Sequence, residues 1–146
     1  MRTFVCFLSL LLYAFPVLSV KYHIRNELGN CILSNDRDRA GSRVITAHGC
    51  SSNTVLHVDA SIDLLANTFG HVSGKSGLFV GRSHNRKYLE WVEKPYKWEF
   101  SPVAIRPYHT VHVPGHDELN WVDGGDDKVV KIDVGNELWH FVKVHA

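Results

Sequence analysis

Apolar and polar positions alternate in short runs along most of this chain, and the runs are rich in Val, Ile, Thr and aromatic residues. A period of two puts every second side chain on one face, so each run predicts a half-buried β-strand. Such strands are predicted at 22–26, 31–33, 43–47, 78–81, 88–92, 110–113 and 128–134. Turn-forming clusters of Gly, Pro, Asn, Asp and Ser separate them at 34–42, 49–53, 73–77, 114–115 and 123–127. Only 61–69 could pass for a helical turn, and without a cap or sustained periodicity it is expected as loop or strand.

A longer period lies over this alternation. Trp98-Glu99-Phe100 recurs 41 residues later as Trp139-His140-Phe141, and a fainter copy, Leu56-His57-Val58, stands 42 residues upstream. Tyr22-His23 also matches Tyr108-His109, and Gly29 matches Gly115, each at a separation of 86, close to twice that interval. A fixed interval marks a unit that buries its apolar face only against its neighbours. Three such units of about four strands predict an all-β fold, a β-trefoil in which six barrel strands are closed by three hairpins. Leu56, Trp98 and Trp139 then take equivalent inward positions, with Val58, Phe100 and Phe141 two residues on and on the same face. A tryptophan that recurs at an inward position is read as core.

Composition changes the picture at the N-terminus. Arg2 followed by an apolar run from Phe4 to Phe15, with small residues near Ser19, reads as a secretory leader over 1–19, followed by one domain at 20–146. The run is too short to cross a bilayer, and no later stretch is long or apolar enough. The exported chain is therefore expected to be extracellular and soluble. Cys6 leaves with the leader, so Cys31 and Cys50 remain, and an oxidising compartment favours a disulfide between them. Lys and Arg total 16 against 15 Asp and Glu, so losing Arg2 leaves the charge near zero. Nucleic acid and anionic membrane need a concentrated basic surplus, and neither is expected as a partner. The 10 histidines make the protein cationic in a mildly acidic medium.

The signatures of enzymes are missing: there is no G-x-S-x-G, no H-E-x-x-H, no phosphate loop and no spare cysteine. His109 and His112, with His116 nearby, suggest a metal site until the strand period is applied, which sends the first two to opposite faces. They are expected at the surface or the barrel ends. No cofactor, metal or catalytic residue is assigned, and the protein is expected to be a non-catalytic monomer. No N-glycosylation sequon is present.

Two resemblances sharpen the trefoil reading. The bracket Cys31-Ile32-Leu33, Val44-Ile45-Thr46 and Cys50, with the ending Gly135-Asn136-Glu137-Leu138-Trp139-His140-Phe141, resembles the repeat of ricin-type β-trefoil lectins. The resemblance implies a sugar pocket with an Asp two residues after the first cysteine, an aromatic platform and a Gln-x-Trp ending. In the first repeat these places hold Leu33, His48 and Thr54, so that pocket is not expected there. The third repeat keeps Asn120, Trp121, Asp123 and Asn136, the alternative sugar-binding set, although 123–127 also reads as a plain hairpin turn.

The segments Val80-Gly81-Arg82-Ser83, 108–115 and 136–142 resemble mushroom β-trefoil peptidase inhibitors, the cospin-like and mycocypin-like proteins. The resemblance implies that a loop between the second and third strands enters a protease cleft with an Arg. Here that loop is 34–43, with Arg37, Arg39 and Arg43 inside the bracket of Cys31 and Cys50. A trypsin-like pocket ends in a carboxylate that pairs with a guanidinium. Holding the loop extended in advance lowers the entropy lost on docking. The candidate partners are therefore an extracellular peptidase, engaged through these arginines, or a glycan; an effector that binds some other protein is a further alternative.

Overall fold

The structure, a computed structural model, describes residues 19–125 and 128–145. The expected leader lies outside the described residues save for Ser19, as do Asp126 and Asp127 of the fifth turn cluster. Twelve strands form among the described residues: β1 (Val20–Asn26), β2 (Asn30–Ile32), β3 (Thr46–His48), β4 (Leu56–Val58), β5 (Thr68–Ser73), β6 (Phe79–Arg82), β7 (Leu89–Val92), β8 (Lys97–Pro102), β9 (Tyr108–Val113), β10 (His116–Asp123), β11 (Val130–Asp133) and β12 (Trp139–Lys143). A short 3-10 turn, Ser52–Thr54, precedes β4. Among the described residues no helix is long and apolar enough to cross a membrane.

Six strands close on themselves. β1 pairs β4, β4 pairs β5, β5 pairs β8, β8 pairs β9, β9 pairs β12, and β12 returns to β1, every pair antiparallel. Closure removes the unpaired edges that an open sheet exposes. The other six strands form three hairpins, β2–β3, β6–β7 and β10–β11. The hairpins also bond to one another: Val44 N–H to Leu89 O, Val130 N–H to Val44 O, and Ile132 N–H to Lys87 O. Val44, Leu89 and Val130 are fully buried where the hairpins meet.

The inward layer expected from the repeat is present. Leu56, Trp98 and Trp139 are all 0% exposed and pair with Tyr22, Gly70 and His109 respectively. Trp98 faces Gly70, which has no side chain to compete for the space, whereas Trp139 faces His109. Two residues on, Phe100 and Phe141 meet edge to face with centroids 5.2 Å apart, a favoured aromatic geometry. The indole N–H groups reach backbone oxygens 18 residues back, Trp98 to Val80 O at 2.8 Å and Trp139 to Trp121 O at 3.2 Å. Each of these bonds fastens a hairpin to the barrel. Leu56 cannot donate such a bond, and in its repeat the Cys31–Cys50 disulfide closes the base of the β2–β3 hairpin, with Cα atoms 5.5 Å apart.

The match of Tyr22-His23 to Tyr108-His109 is out of register. Both Tyr22 and His109 face a β4- or β12-type inward residue, so the true spacing on these strands is 87. A slip of one residue turns every side chain to the other face. Accordingly Tyr22 is buried while Tyr108 points outward, and His109 is 1% exposed. Gly29 and Gly115 do correspond, as left-handed turn residues with φ of +84° and +77°, and Gly77, at +88°, is the third of the set.

Candidate functional site

The loop 34–43 is ordered by its own side chains. Asp38 Oδ2 accepts from Asn35 N–H at 2.8 Å, and the Ser42 hydroxyl donates to Arg39 O at 2.6 Å. At its far end Gly41 N–H donates to Trp91 O and Trp91 N–H donates to Ser42 O, which anchors the loop to β7. These bonds fold the segment into two consecutive turns, where the sequence led us to expect an extended stretch. Burial pushes the Asp38 carboxyl up and the Asp36 charge adds to this, while the Asn35 N–H works against both.

The three arginines of the loop part company. Arg37 and Arg39 are exposed, and neither guanidinium has a hydrogen bond or ion pair among the described residues. Arg43 lies 4.3 Å above the Tyr88 ring and donates to its hydroxyl at 3.3 Å. That contact ties Arg43 to the β6–β7 hairpin.

The four residues of the sugar-binding set also separate. Trp121 is 0% exposed, wedged edge to face between Trp98 and Trp139 at 5.3 and 6.1 Å, so its ring has no free face for a sugar. Asp123 is a latch between the first and last repeats. Its carboxylate accepts from Asn26 Nδ2 at 2.8 Å, Asn30 Nδ2 at 2.9 Å, Thr46 Oγ1 at 2.9 Å and its own turn at Gly125 N–H. Glu137 lies beside it and shares the Asn26 amide at 3.0 Å. Burial pushes the Glu137 carboxyl up, the Asp123 charge adds to this, and the Asp123 backbone N–H and the Asn26 amide restrain it. A carboxylate with four donors already in place has little capacity left for sugar hydroxyls.

Asn120 and Asn136, by contrast, line one cleft of about 560 Å³ on the outer wall of the barrel, beside β8 and β9. Its wall carries Glu99 and Ser101 from β8 and Thr110 and His112 from β9, residues placed together by the register Glu99↔His112 and Ser101↔Thr110. The register slips between His116 and Asn120 of β10, and that bulge, with the turn at Gly115, shapes the rim. Glu99 is buried, accepting from Asn67 Nδ2 at 2.7 Å and Gly115 N–H at 3.1 Å.

His112 is 3% exposed, where the sequence suggested the surface or a barrel end, and its ring is held on both sides. Nδ1 lies 3.1 Å from Val113 O, which can only accept, so Nδ1 carries the proton; Nε2 then accepts from the Ser101 hydroxyl at 2.8 Å. Ser101, His112 and Glu99 have the composition of a hydrolytic triad without its connectivity. Glu99 Oε1 stands 3.8 Å from Nδ1, beyond hydrogen-bonding reach, and the histidine proton goes to the backbone instead. His109 projects into the barrel on the opposite face, with Nε2 2.7 Å from Asp63 O. The two histidines therefore share no site.

Apart from Asn120 and Asn136, nothing in the sequence pointed to this cleft, because its residues come from β8, β9, the β10 bulge and the loops around them. The His-x-x-His spacing on β9 suggested a metal site rather than the wall His112 shares with Glu99. Compared with known proteins, the chain matches no family model and no curated protein.

Proposed function

We propose that the protein is a secreted, non-catalytic β-trefoil that inhibits a trypsin-like serine protease through Arg37 and Arg39. The trefoil assignment is supported by the threefold recurrence of barrel pairing, hairpins and turn glycines. Secretion is supported by the Cys31–Cys50 bond, since disulfides persist in oxidising compartments. The observation that carries the inhibitory reading is the loop itself: its backbone is tied at Asp38, Gly41 and Ser42, and two exposed guanidinium groups extend from it with no hydrogen bond or ion pair among the described residues. Such a loop loses little conformational entropy on docking, and an unpaired guanidinium suits a carboxylate at the base of a protease pocket.

Arg43 is left out of the inhibitory set because its guanidinium is engaged with Tyr88. The ricin-type sugar reading is set aside because two of its four residues, Trp121 and Asp123, are occupied in the core and the latch. Titration of trypsin with the purified protein tests the proposal. Wild type is expected to inhibit at micromolar excess, and Arg37→Ala or Arg39→Ala to abolish inhibition while Arg43→Ala retains it. Absence of inhibition by the wild type overturns it.

A further inference from the structure

We infer that the cleft where the three hairpins meet is an anion-binding site, separate from Arg37 and Arg39, and that it takes a phosphate or sulfate monoester with a small apolar body. Cations converge there from distant parts of the chain. Tyr88, in the β6–β7 hairpin, bridges to Lys131 of β11, and Ile45 bridges to Val129, so the first two hairpins are drawn against the third. Arg43, Lys128 and Lys131 then line one cleft of about 440 Å³, together with Tyr88, Val129 and Gly124. All three cations are exposed, and no carboxylate is among the residues that line the cleft. None of the three forms an ion pair among the described residues, where the ion pairs all involve histidine. The formal charge of the whole chain is only +1, so this surplus is local. Like charges gathered in this way repel one another, and an anion seated between them relieves that repulsion.

The lining selects the class of ligand. Arg43 lies over the Tyr88 ring, 4.3 Å from its centre, and donates one N–H to the Tyr88 hydroxyl at 3.3 Å. Stacking orients the guanidinium and leaves its other N–H groups for a ligand, and a guanidinium engages phosphate-like oxyanions through a two-bond fork. The Tyr88 hydroxyl accepts from Arg43 and keeps its own proton to donate. Lys128 and Lys131 bring ammonium groups on flexible stems, so a tetrahedral headgroup meets donors from several directions. Between the cations the walls are the Tyr88 ring and the Val129 side chain, which suit an apolar body attached to the headgroup. The nearby carboxylates are turned to other tasks. Glu90, bridged to Arg43 through the backbone, sets its carboxylate beside Gly41. Asp133 borders a neighbouring cleft with Lys87 and accepts from Val134 N–H at 2.8 Å.

The test is calorimetric titration of the full protein at low salt with phenyl phosphate, phenyl sulfate, inorganic phosphate and benzylamine, each to about 10 mM. Phenyl phosphate or phenyl sulfate is expected to bind, the arm that responds naming the headgroup, and inorganic phosphate to bind more weakly for want of an apolar body. Arg43→Gln, Lys128→Gln and Lys131→Gln are each expected to weaken binding about tenfold, the equivalent of one charge-assisted hydrogen bond. Lys143→Gln, at an exposed cation on β12 outside the cleft, is expected to bind like wild type. Asp126 and Asp127 precede Lys128 and lie outside the described residues, so the double variant Asp126→Asn/Asp127→Asn is titrated as well, with affinity expected to stay within about threefold of wild type. Arg37→Ala/Arg39→Ala should bind the aryl anion normally, while Arg43→Gln should still inhibit trypsin if wild type does, which separates this result from protease inhibition. The inference is overturned if neither aryl anion binds, if benzylamine or inorganic phosphate binds as well as they do, or if Lys143→Gln weakens binding as much as the cleft variants. Unchanged affinity in all three cleft variants, or a gain of about tenfold in the double Asn variant, overturns it too.

Discussion

His140 stands on β12 directly across from Arg25 of β1, with its ring 5.9 Å from that of Tyr108. Burial holds its pKa below the ordinary histidine value, and the nearby Arg25 guanidinium and His109 ring push the same way. Below about pH 6.5 the unfolded chain therefore binds a proton that the folded state resists, and stability is lost as pH falls through that window. His140→Gln removes the group, so its melting temperature is expected to change less than that of wild type between pH 7 and pH 5. Thermal denaturation across that range checks this, and parallel curves would contradict it. Glu137, whose carboxyl is pushed up, acts in the opposite sense. Asp59 is penalised by burial, but the backbone and ring N–H groups of His71 outweigh that and lower its pKa. Its contribution disappears only at more acidic pH, as its carboxyl protonates.

At the scale of elements, legibility followed side-chain pattern. The strands at β1, β6, β7, β9 and β11 alternate or are β-branched, and they fell within a residue or two of expectation. β5 and β10 were missed. Gly70 interrupts β5; a Cβ there would come within 2.9 Å of the Asp59 carboxylate, which is held by the backbone and ring of His71. β10 opens with exposed, polar His116, Asp117 and Glu118 and then bulges, which breaks the period of two. Its end carries the Asp123 latch. Asp123→Ala leaves Asn26, Asn30 and Thr46 without their shared acceptor, and a loss of about 3 kcal/mol is expected by denaturant titration. Arg37→Ala, at an exposed side chain with no hydrogen bond or ion pair among the described residues, is expected to change stability by no more than about 0.5 kcal/mol in the same assay.

For the molecule as a whole, the three repeats fasten their hairpins differently: two with an indole N–H, the first with a disulfide. Replacing both Cys31 and Cys50 by Ala is expected to lower stability by about 3 kcal/mol, as the chain-entropy account gives for a loop of this length. A loss below about 1 kcal/mol in denaturant titration would mean that hairpin packing alone holds the first repeat. The amino-acid sequence by itself determined the all-β class, the recurring inward Leu56, Trp98 and Trp139, and the cysteine pair, because alternation, repetition and cysteine count are properties written along one dimension. Tertiary structure alone decided that Tyr22 answers to His109, that Trp121 is core and Asp123 a latch, and that Asn120 Oδ1 is buried with no donor among the described residues. Those outcomes depend on register and on contacts between residues tens of positions apart, where one inserted residue or one bulge changes which face a side chain takes.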